Sequence, residues 1–318
     1  MSLCYAGPNE SKERESVMND IVMYDVIIMG SGPAGLTAAL YCARGGKKTI
    51  VLGGNTLGGQ MAGIDKLENY PGWAGSGAEL AEFMKNQAAS FGAEFVATSV
   101  REIAGDAVGA FNLTASNGKK YVGKSVIIAT GASPRKLEII GARELFGRGV
   151  SYCATCDGFF YYGKDVMVMG GGNSALNDAL YLADIAKNVK IVYRKGAFTR
   201  AEEILRSRVA ERENIECLFN TDLTQIAATD DDRLVVTTAA DEKIVTDGLF
   251  VAIGHEANTD FLTEDVARDG MGRLRPGDLP TGIFVAGDVE SDIKMQIATA
   301  VGTGCSAAMD AIAYLNKL

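Results

Sequence analysis

The stretch 24–35, Tyr-Asp-Val-Ile-Ile-Met-Gly-Ser-Gly-Pro-Ala-Gly, decides the fold of this chain. Residues 24–29 have the largely apolar pattern of a buried strand, and residues 30–35 have the spacing Gly-x-Gly-x-x-Gly. In this motif the first glycine makes the turn, the second lets a pyrophosphate approach the backbone, and the third packs helix against strand. A helix over 36–44 and a strand over 48–52 complete a βαβ unit, which predicts a dinucleotide site.

The same pattern returns in the second half of the chain. A strand over 165–169 leads into Gly-Gly-Gly-Asn-Ser-Ala at 170–175, followed by a helix over 176–183 and a strand over 189–193. This is the Gly-x-Gly-x-x-Ala variant of the motif. The sequence therefore predicts a second Rossmann-like domain.

A second repeated pattern supports an internal duplication of the sequence. Residues 111–131 and 234–254 each read as strand, turn, strand and a buried apolar strand that ends at a glycine. In the first copy Asn117-Gly118 is a strong hairpin signal. Each half is thus predicted to carry a βαβ unit and a small antiparallel meander.

The end of the chain does not fit a simple tandem. A buried strand over 283–286, the pair Gly287-Asp288 and a last helix over 297–315 would complete the first domain rather than the second. The predicted fold is therefore α/β, with two Rossmann-like, three-layer ββα domains and the second inserted into the first. The boundaries are a tail at 1–22, a first domain at 23–133 and 258–318, and a second domain at 134–257.

Composition excludes several classes of function. The chain has 318 residues, 47% hydrophobic and 22% charged, as is ordinary for a globular enzyme, and its net charge of −9 comes without a dense basic block that would bind nucleic acid. No apolar run reaches the roughly 18 residues of a membrane span. Residues 1–22 lack a signal-peptide core, and six cysteines are too sparse for a disulfide-stapled secreted domain. We therefore expect a cytoplasmic protein.

Cys153-Ala-Thr-Cys156 lies between the two glycine motifs. A CxxC pair alone is compatible with a redox dithiol, half a zinc site or neither, but its position between two dinucleotide folds favours a relay from a nucleotide through a flavin to a disulfide. At the start of a helix such a pair gains stabilisation of its thiolate. Asp157 could carry a proton to or from the leaving thiol, or cap the helix, and the two roles are compatible. Since there is no second CxxC and the only histidine is His255, no metal site is predicted.

The first nucleotide site lacks the acid that normally holds a ribose at the end of the second strand. Gly53-Gly54-Asn55-Thr56 stands there, and Asn55 or Thr56 could substitute as a neutral hydrogen-bonding group. Asp288 follows the strand 283–286 and could accept hydrogen bonds from the ribityl hydroxyls of a flavin. The helix that follows would direct its positive end at the flavin ring. These features favour FAD in the first domain.

The second nucleotide site is followed by cations. Arg194, Lys195 and Arg200 come after its second strand, where an acid would otherwise hold a 2′-hydroxyl. Cations at this place favour a 2′-phosphate, and hence NADPH over NADH, although a solvated basic loop is the alternative.

Several motifs together resemble the bacterial low-molecular-weight thioredoxin reductases over about residues 24–315. They are 30–35, Gly58-Gly59-Gln60, Glu68-Asn69-Tyr70-Pro71-Gly72, Ala129-Thr130-Gly131-Ala132, Cys153-Ala-Thr-Cys-Asp-Gly-Phe-Phe160, Gly254-His255 and Ala286-Gly287-Asp288. The resemblance implies an FAD domain with an inserted NADPH domain, a homodimer, and a large rotation that presents first the nicotinamide and then the disulfide to the flavin.

The resemblance also implies roles for individual residues. Cys156 would contact the flavin, Cys153 would attack the disulfide of a thioredoxin-like partner, and Asp157 would be the acid/base. Arg148, Phe159 and Phe160 would help to dock that partner. The FAD site would comprise Gly30, Ser31, Gly32, Pro33, Ala34, Gly35, Gly59, Gln60, Asn69, Thr130, Gly131, Gly287, Asp288, Met295, Gln296 and Ile297. The NADPH site would comprise Gly170, Gly172, Asn173, Ser174, Ala175, Arg194, Lys195 and Arg200.

Two departures from the family pattern concern the electron donor. Tyr193-Arg194-Lys195 stands where the family has His-Arg-Arg, and Met295-Gln296-Ile297 stands where it has Arg-Gln-Ala. The leading hypothesis is a thioredoxin-disulfide reductase that uses NADPH and FAD. The alternatives are the same relay fed by NADH or reduced ferredoxin, and a non-catalytic flavoprotein redox sensor.

Overall fold

The computed structural model describes residues 22–64, 67–105 and 109–318. Except for Val22, the predicted tail lies outside the described residues, and so does Cys4 within it. The chain divides into two compact units, which we call unit 1 (the described residues up to Ala132, with Ala257–Leu318) and unit 2 (Ser133–Glu256). Each unit has its own hydrophobic core.

The elements are numbered in chain order. The strands are β1 Met23–Met29, β2 Thr49–Leu52, β3 Glu94–Val96, β4 Val100–Gly105, β5 Phe111–Ala115, β6 Lys120–Ile128, β7 Ala132–Pro134, β8 Val150–Ser151, β9 Asp165–Met169, β10 Asn188–Tyr193, β11 Ile215–Phe219, β12 Leu223–Ala228, β13 Leu234–Thr238, β14 Lys243–Thr246, β15 Gly248–Val251, β16 His255–Ala257 and β17 Ile283–Val285. The α-helices are α1 Pro33–Arg44, α2 Gly77–Ala89, α3 Ala154–Asp157, α4 Asn173–Ala183, α5 Glu203–Ala210 and α6 Ile297–Leu315.

Unit 1 is built on a seven-stranded sheet in the order β3-β2-β1-β6-β5-β4, with β17 added to β6. Strands β3, β2, β1, β6 and β17 are parallel, whereas β4 and β5 form an antiparallel meander with β6. Strand β6 is long enough to do both, because Lys120–Gly123 pair with β5 and Val126–Ile128 pair with β17. The two strands predicted in this segment are therefore one continuous strand.

Unit 2 repeats this plan with two separate sheets. A five-stranded parallel sheet has the order β11-β10-β9-β15-β8, and β12, β13 and β14 form a three-stranded antiparallel sheet. Here the meander strand β14 and the parallel strand β15 are separated by Asp247. The predicted α/β fold with two Rossmann-like halves is confirmed.

Both helices that follow the glycine motifs begin three residues earlier than predicted, at Pro33 and at Asn173. Proline suits the first helical position, where its missing N–H would have no partner and its fixed φ is already helical. The last residue of each motif, Gly35 or Ala175, consequently lies inside the first helical turn rather than before it.

Small residues let two helices of unit 1 approach closely. A Cβ on Gly304 of α6 would lie 2.3 Å from the carbonyl oxygen of Ala34 in α1, so only glycine fits. Ala38, Ala39 and Cys42 are also fully buried in this layer. Within the described residues, no helix combines the length and the apolar character that a membrane crossing requires.

Candidate active site

The glycine turn of unit 1 is packed by the protein at two positions and open at the third. A Cβ on Gly30, which has φ +107°, would lie 2.2 Å from the carbonyl oxygen of Ala129, and a Cβ on Gly35 would lie 2.0 Å from that of Gly30. At Gly32 the nearest atom is 4.0 Å away. The first and third glycines are therefore demanded by the fold, whereas the second leaves space that a ligand can fill.

The N-terminus of α1 borders this space. Gly32 is its N-cap, so no side chain satisfies the first backbone N–H groups, and the first turn holds no acidic residue. Such a helix start is an anion site that suits a diphosphate. The hydroxyl of Ser31 donates to the carbonyl oxygen of Gly53 at 2.7 Å and so holds the turn against the end of β2.

Asp288 lies just after β17, in the 3₁₀ turn Gly287–Val289. Gln60 Nε2 donates to Asp288 Oδ2 at 3.2 Å and to the carbonyl oxygen of Ala132 at 3.0 Å. Burial raises the pKa of the Asp288 carboxyl, and the hydrogen bond from Gln60 acts in the opposite sense. A partly buried carboxylate with one donor and free acceptor positions fits a ligand that carries hydroxyl groups.

The other predicted FAD residues lie in the same unit. Asn69 Nδ2 donates to Gln296 Oε1 at 3.1 Å, and Gln296 is the N-cap of α6, between Met295 and Ile297. Gly59 lies near Gly32, since a Cβ on it would be 3.5 Å from the Gly32 Cα. Asn55 and Thr56, the neutral ribose candidates, are exposed after β2.

Asn258 was missed by the sequence reasoning. The hydroxyl of Thr130 donates to the carbonyl oxygen of Asn258 at 2.7 Å, and Asn258 Nδ2 returns a bond to that of Thr130 at 2.9 Å. The Asn258 N–H also donates to the carbonyl oxygen of Gly131. Asn258 thus fixes the predicted pair Thr130-Gly131 beyond the end of β6.

The glycine turn of unit 2 is likewise packed at its first glycine and open at its second. A Cβ on Gly170 would lie 2.2 Å from the carbonyl oxygen of Ala252, whereas a Cβ on Gly172 would meet nothing within 4 Å. Gly172 is the N-cap of α4, again without a side-chain cap or an acidic first turn. Unit 2 therefore has its own open cradle for a phosphate group.

Asn173, predicted as a residue of the NADPH site, is hydrogen-bonded to Glu202. Its Nδ2 donates to Glu202 Oε1 at 2.7 Å, and its Oδ1 accepts from the Glu202 N–H at 2.8 Å. The side-chain amide is thus engaged at both ends, and the neighbouring Ser174 is exposed. The pair ties the first turn of α4 to the start of α5.

The cations after β10 lie close in the chain to packed aromatic rings. Arg194, Lys195 and Arg200 are exposed, and their side chains have no hydrogen bond or ion pair to another residue of the described part of the chain. Beneath them the rings of Tyr193, Phe198 and Phe219 are in contact, with ring centroids 5.8 Å and 4.8 Å apart along the series. The loop therefore presents three cationic side chains without a partner among the described residues, next to a cluster of packed aromatic rings.

Cys153 and Cys156 form a disulfide, with an S–S distance of 2.00 Å. Cys153 is the N-cap of α3, and its Sγ accepts a hydrogen bond from the Cys156 N–H at 3.2 Å. Cys156 is exposed and Cys153 is partly buried. A bonded pair at a helix start suits reversible opening, because the N–H that contacts Cys153 Sγ would also stabilise a thiolate there.

Asp157 is held by a residue that the sequence reasoning missed. Ser151, at the end of β8, donates its hydroxyl to Asp157 Oδ2 at 2.6 Å and accepts from the Cys153 N–H at 3.0 Å. Cys153, and not Asp157, is the N-cap of α3, whereas Asp157 stands at the N-cap position of the following 3₁₀ turn Gly158–Tyr161 without a capping hydrogen bond from its side chain. The carboxylate is instead fixed beside the disulfide.

Several further titratable groups have shifted pKa values. Desolvation raises the pKa of Asp178 in α4 and that of Glu290 after β17 to about 7 in each case, and it lowers the pKa of His255. Burial also raises the pKa of Cys42 to about 12, so this thiol is inert at neutral pH. Neither Asp178 nor Glu290 was predicted, because their sequence context resembles that of ordinary surface acids.

The predicted docking residues lie in unit 2, before and after the disulfide in the chain. Phe159 and Phe160 follow α3 and are 76% and 71% exposed, which is unusual for large aromatic side chains. Arg148 is exposed in the loop before β8. In the same loop the ring of Phe146 lies 5.7 Å from that of Tyr152, the residue before Cys153.

Comparison with known proteins gives the family. The model of the pyridine nucleotide-disulphide oxidoreductases matches residues 24–304. The chain belongs to this family. The thioredoxin reductase of Rickettsia felis is 39% identical to this oxidoreductase over 306 residues, which is 92% of this chain and 98% of the relative.

Solved structures agree with the family. A thioredoxin reductase of Lactococcus lactis superposes on this oxidoreductase with a TM-score of 0.85 and 36% identity, covering 93% of this chain and all of the other. The thioredoxin reductase of T. acidophilum gives 0.83 and 34% over 92% of this chain and 98% of its own. The predicted resemblance is thus confirmed, the enzyme acts on a disulfide, and its family implies FAD and a nicotinamide nucleotide.

Proposed function

We propose that this oxidoreductase is a thioredoxin-disulfide reductase. Electrons would pass from NADPH through FAD and the Cys153–Cys156 disulfide to a thioredoxin-like protein. The observation that supports this best is the bonded pair itself, because it lies at a helix start with one exposed sulfur in the unit that also holds an open nucleotide cradle.

FAD is assigned to unit 1. The open position at Gly32, the uncapped start of α1 and the carboxylate of Asp288 are the groups that would hold its diphosphate and its hydroxyls. When it is bound, FAD supplies a carrier that takes two electrons from a nicotinamide and passes them to a disulfide. The chain's own groups position that carrier and manage the protons.

NADPH is assigned to unit 2. Gly172 and the start of α4 would bind the pyrophosphate, and the cations Arg194, Lys195 and Arg200 would bind the 2′-phosphate. Since Lys is a point charge without the planar fork of Arg, Lys195 would orient the phosphate less strictly than a second arginine. NADH and reduced ferredoxin are the alternative donors.

The disulfide would cycle between bonded and open forms. Its opening by two electrons leaves two sulfurs, one of which takes a proton, and Asp157 is the nearby group that we assign to this transfer. Cys156 would face the flavin and Cys153 would attack the partner disulfide. The exposed rings of Phe159 and Phe160, with Arg148, would form the docking surface for the partner.

The test follows the electrons in two steps. In stopped-flow, NADPH should bleach the flavin absorbance of the purified protein, and an oxidised thioredoxin should then be reduced. Cys156→Ser should keep the first step and abolish the second. A variant that still reduced thioredoxin would exclude the dithiol relay.

A donor screen separates the alternatives. Bleaching by reduced ferredoxin, with none by NADPH or NADH, would contradict the nucleotide-fed relay. A flavin and a titratable disulfide without turnover would indicate the redox sensor. The homodimer and the cytoplasmic location stay predictions, and analytical ultracentrifugation tests the first.

A further inference from the structure

Ser151 is a buried hydroxyl at the centre of the redox site. It is the last residue of β8 and is only 3% exposed. Its Oγ lies 2.6 Å from Asp157 Oδ2, 3.0 Å from the Cys153 nitrogen and 3.3 Å from the Cys153 carbonyl oxygen. A hydroxyl has one proton to donate, and the shorter contact to a carboxylate takes it.

The two bonds join the carboxylate to the first cysteine through a single side chain. The Cys153 N–H donates to Ser151 Oγ, which itself donates to Asp157, so the positions of the Cys153 backbone and the Asp157 carboxylate are coupled. Asp157 Oδ1 has no hydrogen-bond partner within the described residues. The hydroxyl therefore leaves one carboxylate oxygen free and fixes where it lies relative to the disulfide.

We propose that Ser151 is a positioning residue for proton transfer at the Cys153–Cys156 pair, acting through Asp157. The proposal rests on the proposed function to the extent that the pair must open and close. Ser151 exchanges no proton with sulfur itself. Ser151 holds Asp157 so that Asp157 Oδ1 can exchange a proton with a sulfur of the pair.

An external dithiol can open the pair. A thiolate of the reductant attacks one sulfur of the pair, the Sγ–Sγ bond breaks, and the other sulfur leaves with the bonding electrons and takes a proton from the Asp157 carboxylic acid. The second thiol of the reductant then loses its proton to water, closes the reductant's own disulfide and releases the first protein sulfur as a thiolate. The reductant loses two electrons, the protein pair gains them, and Asp157 recovers its proton from water.

A purely structural role for Ser151 is the competing account. The hydroxyl also accepts from the Cys153 N–H, so its loss could loosen the loop without involving Asp157. A double-mutant cycle separates the two, because groups that act through one another give non-additive effects.

The assay measures the opening of the disulfide by dithiothreitol in the purified protein, with thiol trapping and mass spectrometry. Ser151→Val and Ser151→Thr have the same shape and differ in the hydroxyl. We expect Ser151→Val to slow the opening about tenfold and Ser151→Thr to stay within about twofold, because positioned proton transfer contributes factors of this order or more. Thr246→Val is the matched control, since it removes another buried hydroxyl of unit 2, one that bonds the carbonyl oxygen of Asp165.

The cycle uses Asp157→Asn as the second change. In that background Ser151→Val should have almost no further effect. An equal slowing in both backgrounds, or a wild-type rate for Ser151→Val, would overturn the proposal. If Ser151→Val does not fold, Ser151→Ala takes its place, with the same expected non-additivity.

This assay uses neither a nucleotide nor thioredoxin. A protein that fails to reduce thioredoxin with NADPH would therefore end the proposed function, while the cycle would still decide the role of Ser151.

Discussion

The Cβ position of Gly35 lies 2.0 Å from the carbonyl oxygen of Gly30, so the glycine turn of unit 1 closes on itself. Helix α1 can start against the end of β1 only because neither residue has a side chain. In unit 2 Ala175 stands at the corresponding place, and a Cβ on Gly170 would lie 2.9 Å from the Ala175 Cβ. The second turn is therefore wide enough for one methyl group but not for two.

Gly35→Ala should destabilise unit 1 strongly. The added methyl would overlap with backbone atoms that cannot move without displacing α1, and we expect a loss of roughly 3 kcal/mol or more, at the upper end for overpacking. Urea denaturation measures it. Gly302→Ala is the control, because this exposed glycine in α6 has nothing within 4 Å of its Cβ position and should gain about 0.5–1 kcal/mol from helix propensity. Equal stability of Gly35→Ala and the wild type would contradict the steric argument.

Gly32→Ala should separate cofactor binding from folding. Gly32 has an ordinary φ of −71° and no atom nearer than 4.0 Å to its Cβ position, so the protein tolerates a methyl group that would project into the proposed diphosphate cradle. We expect unchanged denaturation of the apoprotein and at least about tenfold weaker FAD binding, which is about 1.4 kcal/mol. Flavin titration of the apoprotein measures it.

Gly172→Ala is the reciprocal control. It lies in the cradle of unit 2, where a Cβ also meets nothing within 4 Å. It should leave FAD binding intact and weaken the binding of NADPH. If both variants weakened the same ligand, the assignment of the two cradles would be wrong.

Regular elements were predictable where local pattern dominates. The strand 165–169 and the last helix 297–315 agree with β9 and α6 residue by residue, because continuous apolar runs and a long periodic segment have no competing reading. The helix starts at Pro33 and Asn173 were missed, since the glycine motif was interpreted as turn throughout. The first turn of a helix carries little periodicity of its own, so its boundary depends on backbone geometry.

The positioning contacts were not predictable from the sequence. Asn173 and Glu202 are 29 residues apart, and Ser151 reaches Asp157 only because β8 ends where α3 begins. Serine and asparagine are common in turns, and no periodicity or spacing in the sequence distinguishes Ser151 and Asn173 from the other serines and asparagines. The residues of the CxxC and glycine motifs were found because their chemistry requires fixed neighbours in the chain.

Asn173→Ala should weaken recognition of the 2′-phosphate. The Asn173–Glu202 pair anchors the end of the cation loop, and Arg200 lies two residues before Glu202. Without the pair, the segment that carries Arg200 is anchored less firmly, and we expect about five- to tenfold weaker binding of 2′,5′-ADP, with a smaller effect on 5′-AMP, as for the loss of one oriented charge-assisted contact. Calorimetric titration measures both ligands. Asn177→Ala, an exposed position on α4, is the control. Equal losses for the two nucleotides would place the effect on the pyrophosphate cradle instead.

Asp178 should make stability depend on pH. Desolvation raises its pKa in the folded protein from 3.8 to about 7, so folding favours the protonated form. This contribution is fully present below the unfolded pKa near 4, decreases as the pH rises, and is lost above about 7. Since one pH unit between the two pKa values corresponds to about 1.4 kcal/mol, the full effect is on the order of 4 kcal/mol.

Asp178→Asn removes this dependence, because the amide has no proton to lose. Relative to the wild type, the variant should gain a few kcal/mol of unfolding free energy at about pH 8 and little at about pH 4, where Asp178 is largely protonated in the folded protein. Urea denaturation at the two pH values gives the difference, and the measurement at low pH is the control for any change in packing. A gain of the same size at both pH values would show that the amide acts through shape or hydrogen bonding and not through the titration of Asp178.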